Sequence, residues 1–321
     1  MRVRSHLVLV HGIGPVRRVH QEIEDWTNAL IEGAHYSGHS TLARGLAASV
    51  DTVFAHYADL FFLRGAQGQA GLLPGGLGDE ETLVLSQIVA EIIDTQMARS
   101  NPEDVVLTLQ RARAQLYPSG QPQGLWNVLR HVINATTTLL DVPGIRRGGQ
   151  WVTGIELAGN LAQVGRYLGR RGTDNSGKTL DHQIRERLLG ALDNRPSIII
   201  AHSLGTVVTL ETLAKYQHPV PLLVTLGSPL CMRTVVRPRV RPRPLTVPQC
   251  VHRWLNFWDR DDILAVRPLL ESDFLPSTRG VLPGSRRVDS DGLWVHTATK
   301  YLAQPAVAGP VAEALMDSRS V

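Results

Sequence analysis

The sequence predicts an α/β protein, a mostly parallel central sheet flanked by helices and interrupted by a large helical insertion. Three observations lead there. The runs "LVLV" at 7–10 and "SIIIAH" at 197–202 are continuously apolar instead of alternating, as strands covered on both faces are. Segments of helical period follow each of them, which is the strand–helix alternation of a parallel sheet. Of the 321 residues 43% are hydrophobic but only 5% aromatic, so the core has to be built from the aliphatic residues that fill buried parallel strands.

In chain order, the first strand stops at "HGIG", and "HQEIEDWTNALIEGA" then sets Ile23, Trp26, Leu30 and Ile31 at helical spacing. That helix is predicted to end near Gly33. "SVDTVFAHYADLF" offers a second strand. From Gly65 to Lys178 the rhythm changes: a Gly-rich opening, "GAQGQAGLLPGGLGDEE", leads into four helical patterns at about 80–99, 102–116, 125–140 and 151–169, with no convincing strand. The α/β rhythm resumes with helix "LDHQIRERLLGALD", strand "SIIIAH", helix "GTVVTLETLAKY", strands "PLLVTLGSP" and "HRWLNFWD", and a last helix "TATKYLAQPAVAG". The predicted organisation is an α/β core made of 1–64 and 179–321, with 65–178 inserted as a helical cap or lid. "RTVVRPRVRPRPLTVPQ", with five arginines and four prolines between Arg233 and Pro248, predicts an exposed, solvated arm.

Composition also excludes classes. A net charge of +4 is mild for this length, and no Lys/Arg run interleaved with aromatics marks a nucleic-acid groove. Cys231 and Cys250 are isolated, so neither a disulfide framework nor a cysteine metal site is available, which fits a reducing, cytoplasmic setting. The first apolar run is short for a signal peptide and reads as a strand. The most apolar long segment, "LWNVLRHVINATTTLLDV", carries Arg130, His131, Asn127 and Asn134, so no membrane-spanning helix is expected.

The chemistry concentrates at Ala201-His202-Ser203-Leu204-Gly205. A serine on a sharp strand-to-helix turn needs small residues two before and two after it, and Ala201 and Gly205 meet that need. Ile198 to Ile200 supply the strand before it; Val207, Leu210, Leu213 and Ala214 give one face of the helix after it. A serine hydroxyl is a weak nucleophile, so a histidine must take its proton and an acid must orient that histidine. Downstream of Ser203, His218 ends the elbow helix and His252 opens a strand. His296 lies on a late loop before the last helix and is the predicted base. Asp259, Asp261 and Asp262 stand just past the carboxyl end of a strand, and the residues alone leave the acid open among them. The backbone N–H groups of Ile13, in the "HGIG" loop, and of Leu204, at the helix start, are the predicted oxyanion donors. No metal or organic cofactor is needed. His202 reads as a packing residue, Ser228 as a turn residue, and His35 with His39 as a loop pair lacking a third ligand.

Strand-HG-x-G, AHSxG, "TLGSPL" and a final "HxxxxYL" together resemble the α/β-hydrolase superfamily, particularly its lipase, esterase and lipid-deacylase branches. "NFWDRDDILA" is similar to that group's N-[FY]-x-D-P-x-D-P-V-A, with both prolines missing here. The resemblance covers 1–64 and about 179–305. It implies Asp262 as the triad acid, with Asp261 the alternative and Asp259 structural. It also implies a serine hydrolase acting on a small-molecule or lipid ester through an acyl-enzyme. Peptidase, amidase or thioesterase action on the same triad stays open, as does the oligomeric state. The apolar stripes of the insertion, such as Ile88, Ile92 and Met97, are read mainly as packing, with peripheral membrane contact the alternative. A competing pattern, "GTDNSGKT" at 172–179, matches the phosphate loop G-x-x-x-x-G-K-[ST], but a helical pattern precedes it where a buried strand is required. It reads as a hinge between insertion and core. A third reading is a binding protein that keeps a hydrolase shell without turnover.

Overall fold

The structure is a computed structural model that describes residues 5–40, 50–62, 77–100, 102–117, 125–145, 153–171, 173–265, 269–290 and 295–317, the side chains of 125 and 126 excepted. The core–insertion boundary at 64/65, most of the Gly-rich opening, Gly172 and Trp294 lie outside these residues. Six described strands form one sheet: β1 (Ser5–Val10), β2 (Val50–Ala55), β3 (Ser197–His202), β4 (Leu223–Leu226), β5 (Trp254–Asp259) and β6 (Pro283–Val288). Their order is β2-β1-β3-β4-β5-β6 and every pairing is parallel. The helices are α1 (Val19–Tyr36), α2 (Asp79–Arg99), α3 (Glu103–Leu116), α4 (Leu125–Leu140), α5 (Gly154–Gly169), α6 (Leu180–Leu192), α7 (Leu204–Leu213), α8 (Ala298–Leu302) and α9 (Pro305–Asp317). No helix among the described residues is long and apolar enough to cross a membrane.

Successive strand residues serve opposite faces, and both faces are covered. Leu7, Leu9, Ile198, Ile200, Val224 and Phe257 join Trp26 and Leu30 of α1 and Val307, Val311 and Leu315 of α9 in one core. Val8, Val10, Ile199 and Ala201 join Ile184 and Leu188 of α6 and Val207 of α7 in the other. The four helices α2–α5, between β2 and α6, extend this second core. Leu85, Ile88 and Ile92 of α2, Leu139 of α4 and Leu161 of α5 belong to the same continuous cluster as Val8, and Met97 packs against it. The stripe Ile88–Ile92–Met97 therefore faces protein. The first turn of α5 is fixed by a reciprocal cap: the Glu156 N–H donates to Thr153 Oγ1 (3.2 Å) and the Thr153 N–H to Glu156 Oε2 (3.0 Å).

The structure departs from the sequence expectation at four places. α1 runs past Gly33 to Tyr36, because Gly33 is a close-packing point: a Cβ there would come 2.6 Å from the Leu302 carbonyl oxygen and 2.7 Å from Ala308 Cβ. The last helix divides, with Pro305 opening α9, where a missing N–H leaves no helical bond unmade. β6, "PGSRRV", was not foreseen; among the described residues it pairs only with β5, and an edge strand tolerates an initial proline and exposed Arg286 and Arg287. The arm at 233–248 is solvated only in part: Arg233, Thr234, Pro238 and 241–244 are exposed, and the rest is buried or half-buried. Val235, Val236, Val240 and Val247 are buried, the Thr234 hydroxyl donates to Glu91 Oε2 (2.5 Å) and Arg239 donates to Gln87 Oε1 (3.0 Å), so it straps onto α2.

One buried carboxylate joins these layers. Glu211 of α7, its side chain 2% exposed, accepts from the Tyr167 hydroxyl (2.8 Å), from Arg170 (2.6 Å), from Arg185 of α6 (3.1 Å) and from the Arg241 N–H of the arm (2.8 Å). Asp181 pairs with the same two guanidinium groups at 2.8 and 2.6 Å.

Candidate active site

The chain passes from β3 to α7 through Ser203, whose backbone stands at φ 51°, ψ −128°. That region is strained for any residue with a Cβ. The turn is packed too tightly for larger neighbours. A Cβ on Gly205 would come 2.4 Å from the His11 carbonyl oxygen, and one on Gly12 would come 2.4 Å from Ser203 Cβ. The Ser203 N–H donates to the Leu226 carbonyl (3.0 Å), and its own carbonyl accepts from the Thr206 N–H (2.9 Å) and hydroxyl (2.7 Å). Its buried Oγ has no hydrogen-bond partner among the described residues.

His296 precedes α8 and Asp262 follows β5, and the structure brings them together: Nδ1 lies 2.8 Å from Oδ2. Asp262 is fully buried. Its Oδ2 also accepts from the Tyr301 hydroxyl (2.8 Å), and its Oδ1 from the Leu264 N–H (2.9 Å). Burial alone would raise this carboxyl, but His296 and the two donors together hold it below its ordinary value. A carboxylate at Nδ1 favours the tautomer that leaves Nε2 as the acceptor. Gly227, at φ 51°, makes room for the pair: a Cβ there would come 2.6 Å from Asp262 Oδ2 and 3.3 Å from His296 Nδ1. Leu226, which holds the Ser203 N–H, is its chain neighbour, so the serine turn and the pair share one support.

The other two aspartates have different surroundings. Asp259 Oδ2 accepts from both the N–H and hydroxyl of Ser290 (2.6 Å each), and its Oδ1 from the Asp261 N–H (2.9 Å), which fastens the loop after β5. Asp261 is exposed, 3.7 Å from Arg260. Asp262 is thus the one of the three that the structure places on His296.

Ile13 follows Gly12, which abuts Ser203, and Leu204 follows Ser203 and opens α7, so both residues are neighbours of the serine turn. The loop is held from two sides. Gln163 of α5 grips one residue twice: the Gly14 N–H donates to Oε1 (3.1 Å) and Nε2 donates to the Gly14 carbonyl (2.9 Å). On the other side, His11 Nδ1 lies 2.7 Å from the Gly12 carbonyl, its Nε2 accepts from the Tyr57 N–H (3.1 Å), and the Tyr57 hydroxyl donates to the His11 carbonyl. Burial, with the Arg17 charge adding to it, lowers His11 to about 3, so it is a neutral strut. His202 is buried with its ring 4.7 Å from that of His296, and burial followed by the His296 charge pushes it well below its ordinary value.

Sequence reasoning left out Gly227, Gln163 and Tyr57, and gave Tyr301 no role beyond its place in "HxxxxYL". Gly227 had a signal in the strand-ending "TLGSP"; Gln163 had none, because its partner is 149 positions away. Ser228 is a turn residue, its Oγ accepting from the Leu230 N–H (3.2 Å). The described part of the phosphate-loop pattern is a turn closed by Asp174, whose Oδ1 accepts from the Ser176 N–H (2.8 Å) and the Lys178 N–H (3.0 Å), and helix α5 leads towards it where a phosphate loop needs a strand. His35 Nδ1 lies 3.0 Å from Ser40 Oγ, and among the described residues no three His, Cys, Asp or Glu side chains gather as a metal site. The chain matches no family model, no curated protein and no solved structure, so the geometry of these residues carries the reading of the site.

Proposed function

We propose that the protein is a serine hydrolase that cleaves carboxylic esters through an acyl-enzyme, with an α/β-hydrolase-like core and the insertion as its cap. One observation carries this: a serine on a strained strand-to-helix turn beside a buried His296–Asp262 pair at 2.8 Å. Ser203 Oγ attacks the ester carbonyl carbon while its proton passes to His296 Nε2. Asp262 orients the imidazole and balances the charge it acquires. The amides of Ile13 and Leu204 stabilise the oxyanion, and their fixed orientation means little reorganisation at the moment of reaction. Collapse of the tetrahedral intermediate breaks the bond to the alcohol oxygen, which takes the proton from His296. Water then repeats the sequence on the acyl-enzyme and frees Ser203.

A fluorophosphonate probe should label Ser203 in the folded protein, and Ser203→Ala should lower ester turnover by roughly 10³-fold or more with the fold intact. Absence of labelling at Ser203 in folded protein overturns the reading.

A further inference from the structure

Tyr301 of α8 meets the proposed triad at its acid, and its surroundings leave the hydroxyl one arrangement. The side chain is fully buried, in the core shared by Leu7, Phe257 and Val307. Its oxygen accepts the N–H of Asp259, the last residue of β5 (3.0 Å), and its proton goes to Asp262 Oδ2 (2.8 Å). A backbone amide only donates and a carboxylate only accepts, so the direction of both bonds is fixed. Burial, with the Asp262 charge adding to it, pushes the Tyr301 hydroxyl well above its ordinary value, which keeps that proton in place at every pH at which the triad works.

Two donors therefore share one oxygen. His296 Nδ1 lies as close to Asp262 Oδ2 as the Tyr301 hydroxyl does, 2.8 Å, while Oδ1 accepts from the Leu264 N–H (2.9 Å). The Leu264 N–H on one oxygen and the Tyr301 hydroxyl on the other hold the carboxylate at both ends, so Oδ2 faces Nδ1 before any substrate arrives. Asp262 is fully buried, so bulk water does not replace a missing donor. The second donor on Oδ2 also draws on the charge that would otherwise balance a protonated imidazole.

The other titratable or charged groups around the pair leave this part to Tyr301. His202, from the end of β3, has its ring 4.7 Å from that of His296 and stays neutral, because burial pushes it well below its ordinary value. Asp259 turns its carboxylate to Ser290, Asp261 is exposed beside Arg260, and the Arg17 charge acts on His202.

We propose that Tyr301 is a positioning residue of the hydrolase: through Asp262 it fixes the orientation of His296 and sets how strongly the acid supports the protonated imidazole. The proposal rests on the ester-hydrolase reading above and names the group that regulates its acid.

The test is Tyr301→Phe, which keeps the buried ring and removes the hydroxyl alone. Hydrolysis of 4-nitrophenyl butyrate is followed from about pH 5 to about pH 9, each rate divided by the fraction of Ser203 that a fluorophosphonate labels. Without the hydroxyl, Oδ2 keeps more of its charge and the His–Asp pair takes up a proton more readily. kcat should fall about tenfold with KM changed by less than about twofold, and the acid limb of kcat/KM should move up by about half a pH unit to about one unit. 3-Fluorotyrosine placed at 301, a more acidic phenol and so a stronger donor, should move the limb the other way, and it serves as the test if Tyr301→Phe does not fold. A purely structural role would lower the labelled fraction and leave the limb in place. Wild-type kcat per labelled site in Tyr301→Phe, or an acid limb that moves in neither stated direction, overturns the Tyr301 assignment alone. Loss of labelling at Ser203 in the wild-type protein overturns the hydrolase reading itself.

Discussion

Backbone strain at Ser203 makes an unusual stability prediction. At φ 51°, ψ −128° a residue with a Cβ is held in a sparsely populated region, at a cost of roughly 1–3 kcal/mol. Ser203→Ala keeps the Cβ and the strain, whereas Ser203→Gly removes both. Glycine gives back about 0.5–1 kcal/mol through the larger entropy it loses on folding. Taking the middle of each range, Ser203→Gly should be the more stable of the two by about 1 kcal/mol, reversing the usual order of alanine over glycine. Both lack the hydroxyl and should be equally inactive. The measurement is urea unfolding followed by circular dichroism; with a slope of about 3 kcal/mol per molar, the midpoints should differ by about 0.3 M at unchanged slope. If Ser203→Ala unfolds at the same or a higher urea concentration than Ser203→Gly, the turn is not strained and the argument from it to function falls.

Glu211→Ala should destabilise the protein by about 3 kcal/mol, since it leaves Arg170 and Arg185 sharing Asp181 alone; their 24% exposure places the loss at the low end of the buried-pair range of roughly 3–5 kcal/mol. A loss under about 1 kcal/mol by urea unfolding would show that the carboxylate is not the junction of α5, α6, α7 and the arm. Acid should destabilise the fold through its buried histidines. His11 titrates at 6.5 when unfolded but at about 3 when folded, so below pH 6.5 the unfolded chain binds more protons and stability falls as the pH drops. Between pH 7 and pH 5 the expected loss from His11 is about 2 kcal/mol, and His202, depressed in the same direction, adds to it. The depressed Asp262 acts at lower pH: its contribution is present above its unfolded value and is lost as the pH falls through the folded one. Urea midpoints that do not move between pH 7 and pH 5 would refute this account.

What the sequence revealed follows what each segment does locally. β1 and β3 were legible because strands buried on both faces must be apolar at every position, and α2 to α5 because an apolar stripe imposes a period of 3.6. β6 was hidden because an edge strand needs no such run. A stripe states that a helix must be covered but not by what, so the merging of α2, α4 and α5 into the sheet's own core could not be read. Ser203, with its small neighbours Ala201 and Gly205, was visible since the constraint is confined to five residues. The acid was not: Asp259, Asp261 and Asp262 differ in what reaches them from elsewhere, Ser290 for the first, solvent for the second, His296 and Tyr301 for the third.

The double grip of Gln163 on Gly14 also bears on the order in which this molecule can be completed. The loop after β1 leaves the ribosome well before α5 does: the Gln163 side chain that grips it emerges 149 positions later, and the serine turn it abuts later still. Until then the loop has only its contacts with His11 and Tyr57 to shape it. A chain released early, or one whose middle helices were replaced by a short linker, would carry every residue of the glycine turn and still lack the contact that orients it. Helix α5 is in that sense a scaffold that the turn waits for during synthesis, and transplanting the turn into another protein without α5 would transfer its letters but not its conformation.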